Sequence, residues 1–276
     1  MNARVVARSS ERDASKLTRD IDMKRIGLIV PSSNTTMETE IPELLRRHEN
    51  VHGTRWTFHS SRARLHTVDV DSLARMVNDG ERCVAEVSDA DVDVIAYACL
   101  VALMSRGPGA HLATEKRFAE LASETRHGRK IPIVSSAGAL VRTLSDLGLR
   151  RIALVAPYMP ELTKLVIGYI ESSGIEVVDS ISLSVADNLM VGRLDPAALP
   201  GHASRLKLGA ADGIVLSACV QMPSLPSVQI VQDTTGLPVV TAATATTREI
   251  LLAVGLDHKI PNAGAALAGA AQARNE

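Results

Sequence analysis

VIAYACLVAL (residues 94–103) decides how this chain is read: an apolar run ends in a cysteine, with small or apolar residues behind it. The device returns in IVLSACVQMP (residues 214–223). Short continuous apolar runs mark strands buried on both faces, as in a parallel sheet. Upstream, RIGLIV (25–30) is another such run, stopped by Pro31. Ser32, Ser33, Asn34, Thr35 and Thr36 follow, residues that cap helix N-termini, and Glu38 and Glu40 suit a first turn. The pattern predicts a helix from there to about Arg47. WTFHS (56–60) reads as a second strand, and Leu73, Met76, Val77, Cys83, Val84 and Val87 share one helical face that includes Gly80. The strand ending at Cys99 is third. A Gly-Pro-Gly loop (107–109) and a helix through Leu121 lead to IPIVS (131–135), the fourth strand, and a helix ending at Gly148.

The pattern then starts again. RIALVA (151–156) mirrors RIGLIV and also stops at a proline, Pro157; residues 175–183 mirror the second strand, DGIVLSAC (212–219) the third and LPVVT (237–241) the fourth. Strands alternating with helices imply an α/β fold of two pseudo-symmetric lobes, each a four-stranded parallel sheet flanked by helices. Wound 2-1-3-4, each lobe has its topological switch point between strands one and three, and ligands bind there, outside the carboxyl ends. The active site is therefore expected between the lobes. The expected division is 24–137 for the first lobe, with 242–276 packing back on it, and 138–241 for the second. Residues 1–22 are polar, hold four acids and lack an apolar signal-peptide core, so they are expected to form a disordered extension, with Met23 beginning the ordered protein.

Composition excludes several classes. A formal net charge of -1 with 2% aromatics gives no footprint for nucleic acid. No apolar stretch approaches the roughly 20 residues a bilayer requires. Three cysteines without a CxxC pair, and histidines without ligand spacing, argue against a metal site and for free thiols in a reducing cytoplasm. The Gly-Pro-Gly loop is no dinucleotide fingerprint and no Walker motif exists, so no cofactor is indicated.

Cys99 and Cys219 end equivalent strands at the predicted cleft and are read as two thiols facing each other across it. Backbone N–H groups and helix N-termini beyond the strand ends are expected to lower their pKa. Cys83, on the apolar face of a helix, belongs to the core. Asn34, with Ser32 and Ser33, is a helix cap, a group presenting N–H donors to an anion, or both. Tyr158 holds the equivalent place in the second half, as a surface residue or as a phenol donor to a carboxylate. Asn188 reads as a turn residue. His59, Arg62 and Arg64 follow strand two, at a solvated rim or against an anion.

VPSSNTTMETEIP (30–42), FHSSRAR (58–64), YACLVA (97–102), SSAGALV (135–141), ALVAPYM (153–159), ADN (186–188) and SACVQMPSLP (217–226) together resemble bacterial maleate cis-trans isomerase, in the aspartate/glutamate racemase superfamily that includes arylmalonate decarboxylase. The resemblance runs from about Lys24 to Gly264. It implies conversion of maleate to fumarate without metal or organic cofactor, through a covalent succinyl-cysteine intermediate. It also implies Cys99 as nucleophile and Cys219 as proton donor. Asn34, Tyr158 and Asn188 would bind substrate with the backbone at Leu100, Val101, Val220 and Gln221. A homodimer in the cytoplasm, serving degradation of nicotinic acid or related aromatics, is further implied.

Three rivals remain. A racemase would use both thiols but needs a carboxylate for the substrate ammonium group, and none stands at the strand ends. A malonate-type decarboxylase needs one cysteine. A two-lobed dicarboxylate-binding protein needs neither.

Overall fold

The computed structural model describes residues 23–269. The segment 1–22 lies outside them, and Met23 is the first residue of β1. Strands β1 (Met23–Pro31), β2 (Arg55–Ala63), β3 (Val94–Tyr97) and β4 (Ile133–Ser135) form one parallel sheet in the order β2-β1-β3-β4. Strands β5 (Arg151–Ala156), β6 (Glu176–Ser182), β7 (Gly213–Ser217) and β8 (Val239–Thr241) form the second, in the order β6-β5-β7-β8. The expected two-lobed α/β fold is what the chain adopts, and each sheet has the 2-1-3-4 winding on which the placing of the cleft was conditional. The apolar runs explain it: parallel crossovers lay helices on both faces of each sheet, so strands such as β1 and β5 are covered on both faces, and residues 26–31 of β1 are all buried.

The helices are α1 (Met37–His52), α2 (Val70–Asp89), α3 (Leu100–Met104), α4 (Ala110–Thr125), α5 (Ser136–Asp146), α6 (Pro160–Glu171), α7 (Asn188–Val191), α8 (Leu199–Ala203), α9 (Leu225–Thr235) and α10 (Ala242–Ala253). Helix α1 runs one turn beyond Arg47, because His48 is a buried contact on its inner face. It stops at Gly53, whose φ of 81° lets its N–H reach the Glu49 carbonyl at 2.8 Å. In α2, Gly80 is required by packing: a Cβ there would lie 2.6 Å from Phe118 Cζ. Cys83 is fully buried on the same helix, as its apolar face predicts. The second half replaces the long α2 with the short α7 and α8, which is where the two repeats part company.

Ser135 and Thr241, which end the fourth strand of each sheet, cap the helices that follow, accepting N–H groups from Gly138 and Thr244 at 3.1 Å each. Those helices, α5 and α10, pack on each other, and α10 also packs on α1, β3 and β4 of the first sheet. Among the described residues no helix is long and apolar enough to cross a membrane.

Candidate active site

Both sheets end at the site in the same way. The Ala98 N–H donates to Ile29 O at 2.8 Å, and the Ala218 N–H donates to Val155 O at 3.1 Å. The next residue in each case is the cysteine. In the first half β3 has already ended at Tyr97, two residues earlier than the apolar run suggested, because the chain turns sharply. Cys99 takes φ 104° and ψ 70°, a left-handed conformation that a side chain rarely adopts, and so becomes the N-cap of α3. The turn leaves the N–H groups of Leu100 and Val101, first in α3, without intrahelical acceptors beside the thiol.

The two thiols are each 6% exposed and lie close enough for a charge on Cys219 to disfavour one on Cys99. Burial pushes the Cys99 pKa up to about 12, against the opposing pull of the Ala102 N–H. Burial also raises Cys219, opposed by the Tyr158 hydroxyl and by the N–H groups of Gln221 and Met222. The expectation of lowered thiol pKa values is therefore wrong in sign. The predicted N–H groups are present, but desolvation of a thiolate outweighs them.

Tyr158 is buried, not at the surface, and its hydroxyl donates to Ala218 O at 3.2 Å. Asn34 is 1% exposed, and its Oδ1 accepts the N–H groups of Thr36 and Met37 at 3.0 and 2.9 Å. It therefore caps α1, and its buried Nδ2 has no partner among the described residues. A buried amide with two unused donor hydrogens is strongly disposed to receive an acceptor. Asn188 arrives from the second half, its Nδ2 donating to Ser33 Oγ at 2.7 Å. The Ser33 hydroxyl in turn donates to Leu65 O at 2.7 Å. Thr67 and Asp187 form an isolated antiparallel bridge beside this seam, and a cavity of about 650 Å³ lined by Ser32, Ser33, His66 and Asp187 lies against it.

Strand β2 runs to Ala63, so His59 and Arg62, expected after it, lie within it; Arg62 braces the loop after β1 from outside, donating to Ser32 O at 3.2 Å and Asn34 O at 2.5 Å and pairing with Glu38. His59 pairs with Thr57, and Arg64 is exposed at the rim. Among the described residues no group of three or more His, Cys, Asp or Glu is placed to hold a metal ion.

The side chain of Gln221 does something that reading the sequence missed. Its Oε1 accepts the Thr35 N–H at 2.9 Å, while its Nε2 donates to Ser33 O at 3.1 Å and Asn188 O at 2.9 Å. One buried amide thus pins three loops together. The Gln221 N–H itself is turned to Cys219 Sγ at 3.4 Å. No local signal marks such a contact, since its partners lie up to 188 residues away.

A family model described as arylmalonate decarboxylase matches residues 26–267. A maleate isomerase of Geobacillus stearothermophilus is 53% identical over 246 residues, 89% of this chain and 97% of its own length. A maleate-bound Cys-to-Ala variant of the maleate isomerase Iso from Pseudomonas putida S16 superposes with a TM-score of 0.87 at 48% identity, covering 90% of this chain and 98% of that one. A Cys-to-Ser variant of maleate cis-trans isomerase from Nocardia farcinica, solved with a covalently bound succinylcysteine intermediate, gives 0.84 at 45% identity, covering 89% and 98%. Similarity of this degree along nearly the whole described chain, with two buried cysteines at matching strand ends, places the chain in the maleate isomerase family, within the wider group that the arylmalonate decarboxylase model describes.

Proposed function

We propose that this chain isomerises maleate to fumarate without a cofactor, through a succinyl-cysteine intermediate. The observation that carries the reading is the pair of buried thiols on equivalent strand ends. The Cys99 thiolate adds to one olefinic carbon, and the π pair moves onto the neighbouring carbon and into its carboxylate. Cys219 delivers its proton to that carbon, leaving a thioether with a C–C single bond that can rotate. After rotation the Cys219 thiolate takes a proton back, the double bond re-forms, and the Cys99 thiolate leaves with its electron pair. Fumarate separates the two carboxylates, so the reaction runs downhill.

Burial makes the Cys99 thiolate scarce, and the greater nucleophilicity of a high-pKa thiol offsets that only in part, so the donors around the site must favour the thiolate once substrate is bound. Asn34 Nδ2 and the N–H groups of Leu100, Val101 and Val220 supply donors for the substrate carboxylates, with Tyr158, Asn188 and Gln221 completing the set. An amino-acid racemase is disfavoured because Glu40, a buried carboxylate at the lobe junction, has both oxygens engaged by Ser224 and Leu225.

The same reading divides the chain at 24–137 and 138–241, with the C-terminal segment returning to the first lobe; packing of α10 on α1, β3 and β4 supports this. It makes the protein a cytoplasmic homodimer that consumes maleate released in degradation of nicotinic acid or related aromatics. Exposed Leu112 on α4 and Leu165 on α6, helices tied by a His111–Tyr169 hydrogen bond, support an apolar contact face.

The test is a maleate-to-fumarate assay with intact-protein mass spectrometry. Cys219→Ser should cripple turnover and retain one succinyl adduct on Cys99, and Cys99→Ala should give neither adduct nor turnover. An adduct only on Cys219 reverses the roles, and full activity in either variant removes the two-thiol mechanism.

A further inference from the structure

Glu40 is a buried charged group that the two-thiol chemistry leaves unused. It is the fourth residue of α1 and 7% exposed. Its Oε1 accepts the N–H groups of Ser224 and Leu225 at 2.5 and 2.7 Å, and its Oε2 accepts the Ser224 hydroxyl at 3.1 Å. These donors belong to the other half of the molecule, at the start of α9.

Helix α9 needs this carboxylate. Its N-cap, Ser224, makes no side-chain cap to its own helix. Pro226 has no N–H, and the Ser227 N–H donates to Ser224 O at 2.9 Å. The Leu225 N–H and the Ser224 N–H are then left, and Glu40 takes both. A helix start in the second lobe is thereby capped by a side chain from the first.

The segment so anchored is the one that carries Cys219. Near its beginning, the Met222 N–H donates to Cys219 O at 3.3 Å and Ser217 Oγ donates to the same carbonyl at 2.9 Å. Its middle is clamped by the Gln221 side chain to Thr35, Ser33 and Asn188, and its far end, Ser224, is held through Glu40 and α9. The first turn of α1 that bears Glu40 is also the turn capped by Asn34. One rigid helix end therefore references both the amide offered to substrate and the loop offering the proton.

We propose that Glu40 is a positioning residue: by tying the far end of the Cys219 loop to α1, it sets where the Cys219 thiol stands relative to substrate held at Asn34. The proposal rests on Cys219 being the proton donor. It requires reach and acceptor lone pairs, not negative charge. Glutamine keeps the reach, an oxygen for the two N–H groups and a donor for the Ser224 hydroxyl; aspartate keeps the charge but falls a methylene short.

The experiment compares Glu40→Gln and Glu40→Asp in the full-length chain for kcat, KM and the iodoacetamide alkylation rate of each cysteine, resolved by peptide mass spectrometry. Glu40→Gln should stay within about threefold of the parent in kcat, whereas Glu40→Asp should lose about tenfold to hundredfold, the scale of a reacting group displaced by around an ångström. In Glu40→Asp, KM should hold within about threefold, which marks loss in the chemical step rather than in substrate binding. The Cys219 alkylation rate should shift in Glu40→Asp while that of Cys99 does not. Loss in Glu40→Gln equal to that in Glu40→Asp, an Asp variant with parental kcat and parental Cys219 alkylation, or equal shifts at both cysteines would each overturn the proposal. Cys219→Ser assayed alongside separates the two ideas: parental turnover there removes the proton-donor reading, while the alkylation arms still report whether Glu40 holds the loop.

Discussion

Replacing Gln221 with alanine should weaken the protein and its grip on substrate together. The amide is 2% exposed and makes three hydrogen bonds, two across the lobes to Thr35 N and Ser33 O at 2.9 and 3.1 Å and one within the second lobe to Asn188 O at 2.9 Å. At roughly 1 kcal/mol net for each buried hydrogen bond, the loss is about 3 kcal/mol. For a domain of this size, that corresponds to about 6–9 °C in Tm. KM for maleate should rise as well, because Ser33 and Asn188 are freed. Gly192→Ala gives an independent check without removing any polar group. Gly192 has an ordinary φ of -68°, so alanine there would be expected to stabilise by about 0.4–1 kcal/mol through the unfolded chain. A Cβ at that position, however, would lie 2.6 Å from Gln221 Nε2 and 2.7 Å from Thr35 Oγ1, forcing the clamp aside. The sign should therefore reverse, with a lower Tm and a raised KM. Scanning calorimetry and steady-state kinetics on both variants decide it. Gly192→Ala more stable than the parent, or Gln221→Ala melting within about 1 °C of it, would refute the clamp.

Asn34→Asp keeps the oxygen that caps α1 but puts carboxylate charge where an unpaired amide now waits. Like-charge repulsion of a dianion should lower kcat/KM by about a hundredfold or more with little change in Tm, and parental activity would contradict the assignment. With its pKa pushed up to about 12, Cys99 should be alkylated at pH 8.5 roughly 30-fold more slowly than a free thiol, the thousandfold scarcity of thiolate being partly offset by its nucleophilicity. The rate should climb tenfold per pH unit toward pH 11, and a plateau near pH 9 would count against it. Because that folded-state value is raised, the associated stability is complete below the unfolded thiol value of about 8.5 and is lost as pH rises toward 12, so alkaline melting should report the same group. Cys83→Ala should cost about 1 kcal/mol of stability and no activity; a folded variant with turnover down a hundredfold would show that the core assignment is wrong.

Much of the site was legible because strand ends are legible. Cys99, Cys219, Asn34 and Tyr158 all follow apolar runs that stop abruptly, and parallel winding brings those ends to one place. Their environments were less accessible. Glu38 and Glu40 look equivalent in the sequence, two acids suited to the first turn of one helix. One pairs with Arg62 at the surface, and the other crosses the molecule to Ser224. Arg62 reads as a rim or anion-binding residue, yet it braces the loop that carries Asn34.

The sequence by itself determined the repeat, the succession of strands and helices along the chain, the burial of Cys83 and the placing of two cysteines at equivalent strand ends. All of these follow from local periodicity and chain connectivity, which hydrophobic burial enforces wherever the chain folds. Only the tertiary structure decided how the thiols ionise and which side chains hold the loops in place. Desolvation depends on everything packed around a sulfur, and it overrode the N–H donors that alone would have lowered its pKa. The contacts of Gln221 and Glu40 join residues 186 and 184 positions apart. No periodicity carries information over that distance; such partners exist only once both sheets are folded and docked.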